Sequence, residues 1–320
     1  QPAKTYLQIV GGFCILNALI PICSSYLRAF GFSKEPLYAS IIGNVINFCL
    51  NAFFLFVLHK GVAGVATATV ISRIINLVIV VLLGAVLVKA KQHPERESNR
   101  EVMGQIIRIG LPSACETAIY NVSMTLVIRF LNQMDAQGLN VTARSYTMQI
   151  TNFSYCVGAA LAQANAIMTG WHIGAKEYDA CDRGTRKAAI IGVIVAVILE
   201  TMFALCSGWI MQLFSKDPQM VSLVGKLLAI DIVLEMGRVT NLVYGQALKT
   251  SGDAVFPVVM GACFMILCSV GGTYLFGIRL GLLAVGAYIG MAGDECVRAV
   301  GMYLRWKSGK WKEKGLVKSR

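Results

Sequence analysis

Long apolar stretches separated by short polar gaps dominate the pattern along the chain. Each stretch holds about 20 or more mostly apolar residues, which as a helix are enough to cross a hydrocarbon core of ~30 Å. The apolar runs are continuous rather than alternating, which excludes the strands of a transmembrane barrel. The pattern therefore predicts an all-α polytopic membrane protein. The nine predicted spans cover residues 6–28, 37–58, 65–88, 105–131, 142–168, 186–213, 220–248, 255–276 and 283–305.

The same three-helix pattern occurs twice. In each copy a basic residue, a glycine and a proline follow one helix, and a run of small residues opens the third helix. The landmarks are Arg28-x-x-Gly31 with Pro36 and Gly61 in the first copy, and Lys249-x-x-Gly252 with Pro257 and Gly281 in the second, at offsets of 220 to 221. Residues 6–88 and 220–306 are therefore predicted to be two versions of one unit.

The chain is predicted to divide into four parts, because residues 89–103 are rich in charge and interrupt the apolar pattern. The parts are a partial N-terminal lobe of three transmembrane helices (1–88), a cytoplasmic linker (89–103), a C-terminal lobe of six transmembrane helices (104–306) and a basic cytoplasmic tail (307–320). If the repeated unit is six helices long, the full protein has two pseudo-repeated six-helix lobes. We then expect roughly 110–130 residues upstream of Gln1, with helices 4–12 present in this chain.

The net charge of +12 would permit nucleic-acid binding, but its placement indicates a membrane topology instead. Alternate gaps and the tail hold nineteen basic residues, Lys249 among them, whereas the opposite gaps hold six, Arg144 among them. Basic residues accumulate on the cytoplasmic side, so the tail is predicted to be cytoplasmic and Gln1 external. We expect a multi-pass monomer in the cell (inner) membrane that contacts anionic lipid and binds no nucleic acid.

The residues of enzyme and cofactor sites are missing from the sequence. Nine of the ten cysteines fall in hydrophobic stretches without a CxxC pair, and the three histidines are far apart. Small buried cysteines are ordinary core residues. There is no serine–histidine arrangement, no phosphate-binding glycine loop and no cofactor motif. We therefore expect neither an enzyme nor a bound cofactor.

Charged residues inside predicted spans are the candidate functional residues, because a charge at mid-bilayer costs several kcal/mol. Glu235 and Arg238 lie three apart near the middle of one span, and Asp294 and Glu295 lie four and three before Arg298 in another. These spacings place acid and base on one helical face. Two interpretations stay open: the pairs are structural, or one acid exchanges its partner for H⁺ or Na⁺ during transport.

Glu116 has no basic residue at pairing distance on its own helix, which makes it the preferred titrating carboxylate, with Asp231 and Glu200 as weaker candidates. Binding of Na⁺ at Glu116 and Glu235 is also left open.

The charges predicted inside the membrane sum to a formal net charge of −2, which favours a cationic substrate. The six acids are Glu116, Glu200, Asp231, Glu235, Asp294 and Glu295, and the four bases are Arg73, Lys226, Arg238 and Arg298. In the other copy Cys14 and Asn17 stand at the positions of Glu235 and Arg238. Close packing of the last span is predicted at Gly286, Gly290 and Gly293.

Four segments resemble the multidrug and toxic compound extrusion (MATE) transporters. They are YLRAFGFSKEPLYASIIGNVINFCLNAFFLF, IGLPSACETAIYNVS, MTGWHIGAKEYDACDRGTRKA and LEMGRVTNLVYGQALKTSGDAVFPV. The resemblance implies two six-helix lobes around a central cavity and exchange of a proton or sodium ion for a drug. It also implies that Glu116 resembles an acid of the seventh helix, and that Asp231 or Glu235 resembles an acid of the tenth. Arg238 departs from the acid that some members carry there.

The expected function is therefore secondary active efflux of amphipathic organic cations, such as drugs, in exchange for H⁺ or Na⁺. A lipid-linked oligosaccharide flippase of the same superfamily remains an alternative. Such a flippase is expected to carry more basic residues in its cavity, to bind pyrophosphate.

Overall fold

The computed structural model describes residues 2–89, 99–135 and 138–314, and this part of the chain forms helices and no strand. Residues 90–98 of the predicted linker and 315–320 of the predicted tail lie outside the described residues. The chain divides into two compact units, Gln1–Arg96 and Glu97–Arg320.

The first unit contains the three predicted spans, but its first span is broken. The helices are α1 (Pro2–Gly12), α2 (Ile15–Ala29), α3 (Lys34–Ala52, extended by π-helical turns at Phe53–Val57) and α4 (Gly61–Lys89). The axes of α1 and α2 differ by 43°. A small apolar cluster of Leu27, Ala39, Val80 and Val88 holds α2, α3 and α4 together.

The second unit is a bundle arranged around one long central helix. Its helices are α5 (Asn99–Met134), α6 (Leu139–Gly174), α7 (Tyr178–Leu205), α8 (Ser207–Met211), α9 (Pro218–Thr250), α10 (Val255–Phe264, extended by π-helical turns at Met265–Val270 and Thr273–Arg279) and α11 (Leu283–Lys307), followed by a 3₁₀ turn (Lys310–Lys314). Helix α9 packs against α6, α7 and α11. It begins where Asp217 accepts a hydrogen bond of 2.9 Å from the Gln219 N–H, with Pro218 in the first turn. That is a favourable helix start.

The repeat is present in the backbone geometry of both units. Gly31 ends α2 with φ +89°, and Gly252 follows α9 with φ +92°. Each glycine N–H donates to the carbonyl three residues back, at 2.9 Å and 3.1 Å. Because glycine adopts left-handed φ without a steric penalty, the same C-terminal cap forms twice. Gly61 and Gly281 also have positive φ, 53° and 68°, and in both copies π-helical turns precede them.

Two of the three glycines predicted to pack on α11 do so. A Cβ built on Gly286 would lie 2.4 Å from the backbone carbon of Phe276, and one on Gly290 would lie 2.9 Å from the Cys268 carbonyl oxygen. A Cβ on Gly293 would meet nothing within 4 Å, so the prediction is wrong for Gly293. Crossing helices are close only near the crossing point, which limits such contacts to about two turns.

Within the described part of the chain, four helices are long and apolar enough to cross a membrane by length and composition, or five if α1 and α2 form one bent span. The four are Lys34–Val57, Gly61–Val88, Tyr178–Leu205 and Val255–Arg279. Helices α5, α6, α9 and α11 coincide with the other predicted spans but do not pass this test. That these four also cross the membrane stays a prediction.

Candidate functional site

A cavity of about 580 Å³ opens in the second unit between α5, α6, α9, α10 and α11. Its wall combines charged side chains with methionines and tyrosines. The charged ones are Glu116, Arg144, Asp231, Arg238, Lys249, Glu295 and Arg298, and the others include Tyr120, Met124, Met148, Tyr155, Met265, Tyr288, Met291 and Met302. Five of the seven residues predicted for the site therefore line one cavity. The other two, Glu235 and Asp294, pair with residues of its wall.

The charged side chains of α9 and α11 form a belt between two apolar clusters. On α9, one cluster extends to Leu234 and the other begins at Val239. On α11, the first of these clusters extends to Ala292 and the second begins at Met302. Between these limits lie the charged residues that form the belt: Glu235 and Arg238 on α9, and Asp294, Glu295 and Arg298 on α11. Apolar packing on both sides therefore fixes the belt at one depth in the bundle.

Arg238 is the centre of the contacts on α9. It pairs with the fully buried Glu235 three residues earlier, and its Nε lies 3.6 Å from Oε1 of Glu295 on α11. Its guanidinium lies 5.9 Å from the ring centre of Tyr155 on α6. Asn241 donates a hydrogen bond of 3.0 Å to the other oxygen of Glu295. Arg238 thus joins three helices at the cavity wall.

Arg298 makes the most complete set of bonds in the cavity. It donates two hydrogen bonds of 2.9 Å to Asp294, one to each carboxylate oxygen, and its Nη2 lies 2.9 Å from Glu295. Ser269 also donates to Asp294, at 2.9 Å. A bidentate arginine–carboxylate pair is strong and geometrically fixed. The two intrahelical pairings predicted from spacing are therefore present, and Glu295 connects them.

Glu116 has a basic partner on another helix, although its own helix offers none. Nζ of Lys249 lies 2.6 Å from Oε2 of Glu116, joining α9 to α5. The sequence interpretation placed Lys249 in a gap, because the predicted span ended at residue 248, whereas α9 continues to Thr250. A basic residue in the last helical turn before a glycine cap is a common pattern and was the available signal.

Other buried carboxylate oxygens lack partners among the described residues. In the second unit they are Oδ2 of Asp231, Oε2 of Glu235 and both oxygens of Glu200 on α7. Glu200 is completely buried and lies behind the cavity wall rather than on it. These atoms are the positions in the cluster where a proton or cation would find a free acceptor.

Arg144 is a cavity residue that the sequence interpretation missed. It was counted with an external gap because it lies at the start of the predicted span 142–168, but α6 begins at Leu139, where Asp135 accepts hydrogen bonds of 3.0 Å from the N–H groups of Leu139 and Asn140. Arg144 is 8% exposed, and its Nη2 lies 3.7 Å from Sδ of Met124. Its Nε has no hydrogen-bond partner within the described ranges. An aspartate preceding a helix was the sequence signal.

The charge balance at the cavity rests on different bases from those predicted inside the membrane. Lys226 is exposed and lines a separate pocket, and Arg73 belongs to the first unit. Arg144 and Lys249 replace them at the cavity. The wall itself carries three acids and four bases, and the buried acids Glu200, Glu235 and Asp294 behind it restore a formal excess of two carboxylates.

Among the described residues, no group of three or more histidine, cysteine, aspartate or glutamate side chains could hold a metal ion. The carboxylates of Glu116 and Glu235 instead face Lys249 and Arg238. Na⁺ at these two residues remains a prediction.

Comparison with known proteins identifies the family. Residues 112–275 match the sequence model of the family described as MatE. The chain is 34% identical to the uncharacterized transporter YisQ of Bacillus subtilis over 98% of this chain and 70% of that protein. It is 23% identical to the probable multidrug resistance protein NorM of Thermotoga maritima, covering 98% of this chain and 68% of that protein. It is 22% identical to human multidrug and toxin extrusion protein 1, covering 88% of this chain and 50% of that protein.

Solved structures share the fold. A MATE crystal structure in the straight conformation matches with a TM-score of 0.85 at 19% identity, over 97% of this chain and 70% of that one. A MOP superfamily transporter from Pyrococcus furiosus, described as having a binding pocket of reverse polarity, matches with a TM-score of 0.86 at 18% identity, over 96% and 70%. The chain therefore belongs to the MatE family, whose members are multi-pass membrane transporters.

Proposed function

We propose that this chain is the larger part of a secondary multidrug efflux antiporter. It exchanges H⁺ or Na⁺ for amphipathic organic cations across the cell (inner) membrane. The observation that carries the proposal is the charged cluster at the cavity of the second unit. The three acids of the wall and the three buried acids behind it exceed the four bases of the wall by two, and the wall also holds methionine and tyrosine side chains. The names of the NorM and human relatives support multidrug transport.

The wall and the buried acids behind it together suit such substrates. An excess of carboxylate in a low-dielectric site attracts a cation and repels an anion. Methionine and aromatic side chains adapt to varied apolar bodies and contact cationic groups favourably. The partners are therefore small organic cations together with the coupling ion. The protein provides binding and coupling rather than covalent catalysis.

Coupling requires that the ion and the drug compete, because loading one must lower affinity for the other. We assign this role to Glu116, with Asp231 and Glu235 as further coupling carboxylates. Glu116 lies at the cavity wall, and Asp231 and Glu235 each have an oxygen without a partner in the described chain. Arg238 pairs with Glu235, and Glu295 connects Arg238 to Arg298 and through it to Asp294.

The test uses the full-length protein in a drug-pump-deficient bacterial host. Glu116→Gln should abolish ethidium efflux while its amount in the membrane stays near wild type. Glu177→Gln is the matched control, because Glu177 pairs with His172 outside the cavity. Undiminished efflux by Glu116→Gln would remove that residue from the mechanism. Separately, ethidium transport in everted vesicles with an imposed pH or Na⁺ gradient identifies the coupling ion.

One observation favours a second function, a lipid-linked oligosaccharide flippase. The wall itself holds four basic side chains, and Arg144 has no carboxylate partner in the described chain. A pyrophosphate group would need such a cation. Arg144→Gln separates the two functions: it should leave ethidium efflux within about twofold of wild type in an antiporter, and abolish transport in a flippase.

A further inference from the structure

The Glu116–Lys249 pair differs from the ion pairs that Arg298 makes in the cavity. Its partners come from α5 and α9, 133 residues apart, and meet through a single contact of 2.6 Å. Their side chains are 18% and 19% exposed. In the pairs with Arg298 the side chains are at most 10% exposed, and Arg298 is held at three points. The Glu116–Lys249 pair is thus accessible from the cavity and held by one bond.

The two partners differ in freedom of movement. Gly261 of α10 lies behind Glu116, and a Cβ there would be 3.4 Å from both Cγ and Oε1 of the glutamate. The carboxylate is therefore confined between α5 and α10. Lys249 carries a compact ammonium on a flexible four-carbon stem in the last turn of α9. When the contact breaks, the lysine is the partner that moves.

We infer that the Lys249 ammonium is a built-in competitor that occupies Glu116 until an organic cation displaces it. This inference rests on the proposed function and adds a specificity-determining residue to it. A tethered competitor acts at an effective concentration in the millimolar range. Weakly bound cations therefore fail to reach Glu116, and only cations with additional apolar and aromatic contacts to the cavity replace the lysine. The lysine sets an affinity threshold for transport.

Removing the competitor should tighten binding. Lys249→Met keeps the length of the side chain and removes its charge. The dissociation constant of ethidium for the purified full-length protein in nanodiscs should fall about tenfold, as expected if one site in ten is free of the lysine in the wild type. Lys249→Arg should bind ethidium no more tightly than the wild type. In a Glu116→Gln background, Lys249→Met should have no further effect. An unchanged or weaker affinity in Lys249→Met would overturn the inference.

A second measurement keeps the inference testable if Lys249→Met folds poorly. The rate at which an amine-reactive acetylating reagent modifies Lys249 is read by mass spectrometry in the wild type. Ethidium should raise this rate at least about threefold, and Glu116→Gln should raise it without ethidium. Lys226, which is exposed and outside the cavity, is the control and should not respond. A Lys249 rate insensitive to both changes would contradict the displacement.

The two proposals fail in different ways. If the wild type extrudes ethidium but Lys249→Met binds it with unchanged affinity, the antiporter function is supported and the role of Lys249 as a competitor is overturned. A wild type that neither binds nor extrudes any organic cation overturns the proposed function, and the displacement with it.

Discussion

The two copies of the three-helix unit have similar helix ends but differ in the middle of their first helix. In both, a basic residue and a glycine with left-handed φ end the first helix, and π-helical turns precede the third. In the second copy α9 runs unbroken for 33 residues and carries Glu235 and Arg238 at its centre. In the first copy the corresponding positions are Cys14 and Asn17, and the helix is broken there by the bend between α1 and α2.

The difference teaches what the charged cluster requires. An acid and a base three residues apart face each other only while the helix continues. The double glycine at residues 11–12 precedes the break in the first copy, and glycine weakens a helix interior. All the ion pairs described above lie in the second unit. The shared glycine caps preserve the fold of each copy, while the uninterrupted α9 allows one copy to hold a buried charge network.

The largest expected effect comes from removing Arg298, the cation that makes the most complete set of bonds to buried acids. Arg298→Met would leave Asp294 and Glu295 buried without it, and should lower the free energy of unfolding by about 3–5 kcal/mol. Arg73→Met in the first unit is the control and should change it by less than about 1 kcal/mol. Thermal unfolding of the purified protein in detergent measures both. Similar losses for the two variants would contradict the contrast between the copies.

The next largest effect on stability is expected from the close packing of α11 against the π-helical turns that follow α10. A methyl group on Gly286 would collide with backbone atoms of Phe276 and Gly277, which have little room to move. Gly286→Ala should therefore destabilise by about 3 kcal/mol. Gly293→Ala has open space and should gain up to about 1 kcal/mol of helix propensity. Melting temperatures that shift equally in the two variants would show that this contact is unimportant.

Local patterns in the sequence predicted the structural features that depend only on residues close together along the chain. The caps at Gly31 and Gly252 follow from a short motif, and the pairing of Arg298 with Asp294 and Glu295 follows from helical spacing. The positions of the nine hydrophobic segments also match the described helices, with the first one broken. These features were predictable because their partners lie within about four residues along the chain.

Contacts between distant segments were not predictable in this way. The partner of Glu116 is 133 residues away, and the hydrogen bond from Asn241 to Glu295 joins residues 54 apart. Arg144 and Lys249 were assigned to gaps because each lies within three residues of the end of a predicted span, where sequence alone places helix ends least reliably. Charges near a predicted helix end therefore need the tertiary structure before they can be assigned to a cavity.

A smaller, pH-dependent effect is expected at the end of α9, where the copies also differ. Asp253 is buried and accepts hydrogen bonds of 2.6 Å from Arg305 and 2.7 Å from Lys314, whereas Phe32 stands at its position in the first copy. Burial alone would raise the pKa of Asp253, but these two cations lower it below its usual value. Asp253→Asn should cost about 2 kcal/mol at pH 7.

The pH dependence of this effect has a definite sign. Because the pKa of Asp253 is lowered on folding, its stabilising contribution is complete above the usual aspartate pKa of about 4 and is lost as the pH falls through the lowered value. The difference in melting temperature between wild type and Asp253→Asn should therefore be constant from pH 7 to about 5 and shrink at lower pH. A difference that grows on acidification would contradict this assignment.

The smallest expected effect tests which acids of the second unit belong to the charge network. Glu200 is fully buried and forms no ion pair within the described part of the chain. Glu235 is equally buried but pairs with Arg238. An ionised carboxylate without a cationic partner is costly to bury, and glutamine has the same shape without the charge. Glu200→Gln should therefore change the free energy of unfolding by less than about 1 kcal/mol, whereas Glu235→Gln, which weakens a buried pair, should cost about 3 kcal/mol. Denaturant unfolding at pH 7 in detergent compares the two variants. A loss in Glu200→Gln as large as that in Glu235→Gln would place Glu200 inside the network as an ionic partner and extend the charged belt from α9 and α11 to α7.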